Sequence, residues 1–303
     1  MNEPVKIVSL LPAATEIVCA LGLRDSLAGR SHGCDFPGDV VSLPALTKAR
    51  VDSSLPSGAL DAAVRALFAE KRPIYELDEA LLGALAPDVV VTQEACEVCA
   101  VSYEQVVASL RRASAPARVV SLRPTRLGHI LEDVMRVAEA CGVADRGEDV
   151  VADLRRRLDH VAAHPPTPRP RVAVIEWLEP PMLAGHWVPE SIEAAGGVAL
   201  GPRAGEPSPY AAWDDVRRLA PDAVVVAPCG FDLPRTVREA EAFSTELHRL
   251  APRVLLMDGN AHLNRPGPRI VEAVETIAAW LRGENGSSYG GANAISSNST
   301  ARS

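Results

Sequence analysis

The chain has 303 residues, 47% of them hydrophobic and 23% charged, which is an ordinary globular composition and enough length for two domains of about 100–150 residues each. The net charge of −8 argues against nucleic-acid binding, which needs a basic face. No apolar stretch approaches the roughly 20 residues that a membrane span needs.

The N-terminal half alternates predicted strands and helices. The short apolar run at 5–11 is typical of a buried parallel strand, and the periodic segment that opens at Thr15 predicts a helix. Further strands are predicted over 26–30, 89–92 and 118–122, and further helices over 60–70, 77–85 and 103–113. This alternation indicates a parallel α/β sheet.

Residues 126–163 contain no strand signal and predict two helices, and the proline-rich run that follows predicts a stiff connector. The second half predicts strands over 171–177, 223–227 and 253–257 and helices over 190–195, 214–219 and 269–281. We therefore divide the chain into an N-terminal α/β lobe (1–125), a helical bridge with its connector (126–168), a C-terminal α/β lobe (169–283) and a tail (284–303). The tail is predicted to be disordered, since it has almost no apolar content.

Two blocks of the first half return in the second half at nearly one spacing. The sequence Leu-Ala-Pro-Asp at 85–88 recurs at 219–222 before a Val-rich strand, and the strand that begins at Arg118 recurs at Arg253. Such a long period predicts two similar lobes in tandem, not a solenoid. Small ligands commonly bind in clefts between domains, so the repeat predicts a binding cleft between the lobes.

Two Rossmann-like lobes joined by helices, with Ile-Val-Ser-Leu-Leu-Pro-Ala-Ala-Thr-Glu at 7–16 and the repeated Leu-x-Pro-Asp, resemble the helical-backbone class of ABC-transporter substrate-binding proteins. The resemblance covers about residues 5–282. It implies an α/β fold with parallel sheets and a cobalamin, haem or iron–siderophore ligand. The stretches at 31–37, 92–99 and 265–269 are most similar to the branch usually called cobalamin-binding.

The resemblance also concerns the transporter and the compartment. In exported members an acidic residue on each lobe docks onto the transporter; Asp214 stands at that place in the second lobe, but Ala80 stands there in the first. The N-terminus lacks the features of a secretory signal. We therefore expect a cytoplasmic relative that does not dock through the acidic pair, or a periplasmic protein if a leader was trimmed.

The candidate ligand-binding residues lie in loops after predicted strands, where open α/β sheets bind their ligands. Aromatic residues make up only 4% of the chain, yet several fall in these loops, and their rings match the apolar faces of a corrin or porphyrin. The imidazole of a loop histidine could approach the cobalt or iron. The candidates are Phe36, Gln93, Trp177, His186, Trp187, Trp213, Phe231, Asn260 and Arg265.

The cysteines suggest an alternative. A metal or iron–sulfur cluster could be held by thiolates and an imidazole from separate loops, or the cysteines could be buried packing residues. The candidate ligands are His32, Cys34, Cys96, Cys99 and Cys229.

No phosphate-binding loop, nucleophile elbow or zinc-protease motif is present in the sequence. The resemblance implies a binding protein for a cobalamin-like corrinoid or related tetrapyrrole, and the absence of these motifs leads us to expect binding without catalysis. A metal-containing enzyme or metallocarrier is the first alternative, and a haem or siderophore binder is the second.

Overall fold

The structure, a computed structural model, describes residues 5–94, 103–113, 116–284 and 292–296. The chain divides into two compact units. Unit 1 comprises residues 1–55, 62–124 and 128–153, and unit 2 comprises residues 56–61, 125–127 and 154–303. The predicted bridge is thus shared between the units, because the boundary falls inside its second helix. Within the described ranges, no helix is both long and apolar enough to cross a bilayer.

The first part of the chain forms six strands and six helices within the described residues. They are β1 (Ile7–Ser9), α1 (Pro12–Ala20), β2 (Leu27–Arg30), β3 (Thr47–Ala49), α2 (Ser57–Ala69), β4 (Tyr75–Leu77), α3 (Glu79–Leu85), β5 (Val89–Gln93), α4 (Tyr103–Arg112), β6 (Arg118–Leu122), α5 (Leu127–Ala140) and α6 (Ala144–Ala162). Strands β2, β1, β5 and β6 form a parallel sheet in that order, and β3 pairs with β4 antiparallel. The alternation predicted for this lobe is confirmed.

Unit 2 is built on a larger sheet. Its elements are β7 (Arg171–Leu178), β8 (Pro181–Leu183), α7 (Val188–Ala194), β9 (Val198–Leu200), α8 (Trp213–Arg218), β10 (Ala223–Val226), α9 (Leu233–Glu241), α10 (Ser244–Leu250), β11 (Arg253–Met257), α11 (Ile270–Leu281) and β12 (Ala292–Ser296). The sheet order is β12-β11-β10-β7-β8, and β9 also pairs with β7. Strands β9, β7, β10 and β11 are parallel, whereas β8 and β12 are antiparallel to their neighbours.

The sequence repeat has a direct structural explanation. In unit 1, the Asp88 carboxylate accepts a hydrogen bond from the Lys6 amide at 2.8 Å, at the point where β5 starts beside β1. In unit 2, the Asp222 carboxylate accepts one from the Arg171 amide, also at 2.8 Å, where β10 starts beside β7. The repeated aspartate therefore fixes the register of the strand that follows it, β5 in unit 1 and β10 in unit 2. Its carboxylate accepts from a backbone amide at the start of the neighbouring strand and takes the place of a backbone carbonyl.

The structure differs from the sequence prediction at the C-terminus. Residues 292–296, predicted to be disordered, form β12, which pairs antiparallel with all of β11 from Arg253 to Met257. Strand addition of this kind uses backbone hydrogen bonds, so it does not need the apolar side chains whose absence led to the prediction.

Candidate functional site

Three parallel strands of unit 2, β7, β10 and β11, end at the same edge of its sheet. The loop after β10 is tied to both neighbouring strand ends by backbone hydrogen bonds. The Cys229 amide donates to the Glu176 carbonyl at 3.0 Å, and the Asn260 amide donates to the Phe231 carbonyl at 3.0 Å. The three strand ends therefore form one continuous surface, which we call the strand-end face.

Two of the predicted aromatic residues meet on the strand-end face. The rings of Trp177 and Phe231 have their centroids 5.1 Å apart at 56°. Phe231 is 1% exposed, whereas Trp177 is half-buried, and the indole N–H donates to the Glu179 carbonyl at 3.0 Å. We call this ring pair the aromatic platform. Trp177 is its outer layer, because Phe231 is covered.

Arg235 also lies over the Phe231 ring of the platform. Its guanidinium carbon lies 3.5 Å from the centre of the Phe231 ring, a cation–π contact. The placement follows from the start of α9: the Asp232 side chain caps the helix by accepting from the Arg235 amide at 2.8 Å, and a proline occupies the first turn. The sequence analysis did not select Arg235. Asp232, three residues ahead of it and followed by Leu-Pro, is the helix-start signal that could have located it.

A π-helical turn, Gly259–Leu263, follows β11 and brings together two further candidates. Arg265 is 5% exposed, and its guanidinium donates to the Asn260 side-chain oxygen at 3.0 Å. The Asn264 side-chain amide donates to the Ala227 carbonyl at 2.5 Å. Turns of this type recur at functional sites. Here the turn seats Asn260 and Arg265 against the loop after β10.

His186 and Trp187 lie between β8 and α7. The Trp187 indole N–H donates to the Leu263 carbonyl at 2.8 Å, which connects this segment to the π-helical turn. His186 has a left-handed backbone (φ 52°), and its ring centroid is 5.8 Å from that of Trp187. Burial lowers the pKa of His186, so its imidazole is neutral at pH 7, the form that can bind a metal ion.

Trp213 occupies a different environment from the other tryptophan candidates. It opens α8 and packs onto the hydrophobic core of unit 2, with its ring centroid 5.7 Å from that of Phe243. The sequence analysis placed Trp213 in a loop, although it is the first residue of a helix. Only its packing in the folded chain shows that its ring faces the core.

The unit 1 candidates are spread over two strand ends. Phe36, in the loop after β2, is 44% exposed, whereas Gln93, at the end of β5, is buried at 6% exposure. The Cys34 sulfur lies 2.9 Å from the Thr15 hydroxyl, which donates to it, and is 1% exposed. The Nδ1 atom of His32 lies 2.7 Å from the Thr47 hydroxyl oxygen. Burial, and then the charge of Arg30, lower the pKa of His32.

These contacts bear on the predicted metal centre. Among the described residues, no group of three or more histidine, cysteine or acidic side chains is arranged to hold a metal ion. Cys96 and Cys99 lie outside the described residues, and Cys229 is exposed in unit 2. Cys34 and His32 both have hydroxyl partners within unit 1. The metal or iron–sulfur site stays a prediction without support from this part of the chain.

The predicted docking positions are both on helices. Asp214 is in the first turn of α8 and pairs with Arg217 at 2.7 Å. Ala80 is in α3, next to Glu79, whose carboxylate pairs with Arg112. Docking of a transporter stays a prediction.

The chain thus has two compact α/β units, and the strand ends of unit 2 carry an aromatic face. The sequence model described as "Periplasmic binding protein" matches residues 7–244. The chain belongs to this family, and the resemblance drawn from the motifs is confirmed.

Several known proteins are similar to this chain. The vitamin B12-binding protein of Vibrio cholerae is 21% identical over 280 residues, which cover 91% of this chain and 89% of the relative. The crystal structure of periplasmic vitamin B12 binding protein BtuF of Vibrio cholerae has a TM-score of 0.66, 21% identity and coverage of 93% and 98%. A periplasmic haem-binding protein from Pseudomonas aeruginosa has a TM-score of 0.67, 21% identity and coverage of 93% and 94%. These structures establish the fold.

The cytoplasmic location expected from the sequence is wrong. The family is one of periplasmic binding proteins, and the similar structures are described as periplasmic. The expectation rested on the N-terminal residues, which carry no information on any segment beyond the sequence in hand.

Proposed function

We propose that this protein is a periplasmic binding protein for a cobalamin-like corrinoid, which it holds without catalysis. The observation that carries the proposal is the aromatic platform on the strand-end face of unit 2. Half-buried Trp177, backed by the buried ring of Phe231, offers a broad apolar surface at low entropic cost. A corrin ring has apolar faces that such a surface would cover.

Polar groups beside the platform would set the orientation of the ligand. Asn260 and Arg265, joined by their hydrogen bond, stand at the π-helical turn next to the loop that carries Phe231. A corrinoid carries amide groups around its rim, which both donate and accept hydrogen bonds. The vitamin B12-binding relative supports this ligand class. The cleft between two lobes, expected from the repeat, stays a prediction.

One observation favours haem as a second candidate. The imidazole of His186 is half-buried and neutral, since burial lowers its pKa, and a neutral imidazole is a common axial ligand of haem iron. The fold is shared with the haem-binding protein of Pseudomonas aeruginosa.

Titration of the purified protein distinguishes the two ligands. Hydroxocobalamin and haemin are added separately, and binding is followed by tryptophan quenching and by the visible absorption bands. Saturable binding of hydroxocobalamin at micromolar or lower concentration is the expected result. Saturable binding of haemin alone, with a Soret shift that His186→Ala removes, would replace the corrinoid by haem. Binding of neither would refute the proposed function.

Trp177→Ala should weaken corrinoid binding by about 30-fold, since a large aromatic contact contributes about 2 kcal/mol. Trp177→Phe is the matched control, because it keeps an aromatic face, although a smaller one, and loses the indole N–H that bonds to the Glu179 carbonyl. It should retain most of the affinity in the same titration. Equal affinities for the alanine variant and the parent protein would remove the platform from the site.

A further inference from the structure

The aromatic platform is connected to the first turn of α2, which belongs to unit 2, through one carboxylate. The Oε2 atom of Glu239 accepts a hydrogen bond from the Ser57 amide at 3.2 Å, and its Oε1 atom lies 3.7 Å from the Arg235 guanidinium. Arg235 in turn covers Phe231. Side chains of Arg235 and Glu239 are each only 16% exposed, so the contacts are shielded from solvent. A carboxylate at a helix N-terminus is stabilised by the free N–H groups there.

The start of α2 also contacts the strand beside Trp177, through Asp61. The Tyr210 hydroxyl donates to the Asp61 carboxylate at 2.6 Å, and Asp61 is buried at 8% exposure. Tyr210 forms a backbone bridge with Met182, and Met182 is the register partner of Trp177 in the β7–β8 pair. The start of α2 is therefore linked to the Phe231 ring through Glu239 and Arg235, and to the backbone beside Trp177 through Asp61 and Tyr210.

A second glutamate of unit 2 makes a comparable arrangement away from these rings. The Oε2 atom of Glu190 accepts from the Leu127 amide at 2.7 Å, and its Oε1 atom accepts from Arg126 at 2.9 Å and 2.5 Å. Each glutamate thus binds a helix-opening amide and an arginine. The difference is the arginine: the side chain of Arg126 is 53% exposed, whereas that of Arg235 is 16% exposed and lies over an aromatic ring. Glu190 is therefore a natural control for Glu239.

We propose that Arg235 is a positioning residue of the aromatic platform: its flat guanidinium, oriented by Glu239, fixes the Phe231 ring on which Trp177 rests. The effect on affinity rests on the proposed function, whereas the effect on Trp177 does not. The planar shape of the guanidinium is essential, because it lets the group stack on a ring while its edge meets a carboxylate. A lysine ammonium has the charge but no face to stack.

Arg235→Lys tests this directly. The four tryptophans of the chain should each give one indole N–H resonance in the ligand-free protein, and Trp177→Phe identifies that of Trp177. The substitution should shift the Trp177 resonance and leave that of Trp280, which lies under Arg253, in place. Corrinoid affinity should fall about tenfold. Glu239→Gln, which keeps an acceptor for the Ser57 amide, should cause a smaller change in the same direction.

Glu190→Gln is the matched control, and it should leave the Trp177 resonance unchanged. The melting temperatures of both variants are measured as well. A fall that Arg235→Lys and Glu190→Gln have in common is the general effect of losing one contact, and only the excess in Arg235→Lys is assigned to the platform. An unchanged Trp177 resonance in Arg235→Lys overturns the positioning role; a loss of affinity with that resonance unchanged would mean direct contact with the ligand instead. If the parent protein binds neither hydroxocobalamin nor haemin, the proposed function fails, and the resonance alone decides the role of Arg235.

Discussion

Gly259→Ala should destabilise the protein by more than about 4 kcal/mol and abolish corrinoid binding. A Cβ atom at Gly259 would lie 2.2 Å from the Pro228 carbonyl oxygen and 2.8 Å from the Ala227 carbonyl carbon. Both are backbone atoms of the loop after β10, so no side-chain rotation can relieve the clash. The π-helical turn would have to move away from the strand-end face, and it would take Asn260 with it.

Urea denaturation and the hydroxocobalamin titration measure the two effects. Gly128→Ala is the matched control, because the same methyl group meets no atom within 4 Å in α5 and should stabilise the protein by up to about 1 kcal/mol. A Gly259→Ala protein as stable as the parent, with the parent's affinity, would show that the turn after β11 is not packed against Pro228 as described.

The contribution of Asp133 in α5 to the free energy of unfolding should fall by about 4 kcal/mol as the pH rises from about 4 to about 7. Burial raises the pKa of Asp133 to about 7, although the charge of Arg136 acts in the opposite direction. The residue is fully buried, one carboxylate oxygen lies 2.5 Å from the Arg136 guanidinium, and a backbone hydrogen bond from Arg123 also acts to lower the pKa. The carboxyl group of the unfolded chain ionises near pH 4, whereas that of the folded chain keeps its proton up to about pH 7. Between these two values each rise in pH therefore favours the unfolded chain.

Asp133→Asn should remove this loss, because the amide has no charge at any of these pH values. The measurement is the free energy of unfolding in urea at pH 4, 5, 6, 7 and 8 for both proteins. Glu132→Gln removes the same charge from the exposed neighbouring residue, and it should leave most of the pH dependence in place. A parent protein and Asp133→Asn variant with the same pH profile would contradict the assignment to Asp133.

Local patterns in the sequence were sufficient for much of the secondary structure. The apolar runs at β1, β5, β10 and β11 are buried strands, as predicted, because a parallel strand covered on both faces must be apolar throughout. Helices α9 and α10 were missed between β10 and β11. Their average composition is polar, but α9 is strongly amphipathic, since Leu233, Val237 and Ala240 pack on the core of unit 2. Asp232 and Pro234 also mark its start, so the sequence contained signals that the prediction did not use.

The candidate site was also predicted only in part from the sequence. Trp177, Phe231, Asn260 and Arg265 were selected from the rule that parallel sheets bind ligands beyond their strand ends, and the structure brings all four to one face of unit 2. Arg235 was missed because nothing in a helical arginine indicates an aromatic partner. For Cys34, the sequence could not distinguish a metal ligand from a buried thiol that accepts from Thr15.

The sequence by itself determined the duplicated α/β plan, the family and most strand positions, because these depend on patterns that each segment carries alone. The tertiary structure decided which side chains meet: Arg235 on Phe231, Glu239 at Ser57, and Asn260 with Arg265. Such contacts depend on strand order and on the close approach of loops that are far apart in the sequence. The residue pattern within one segment does not show which other segment will lie beside it.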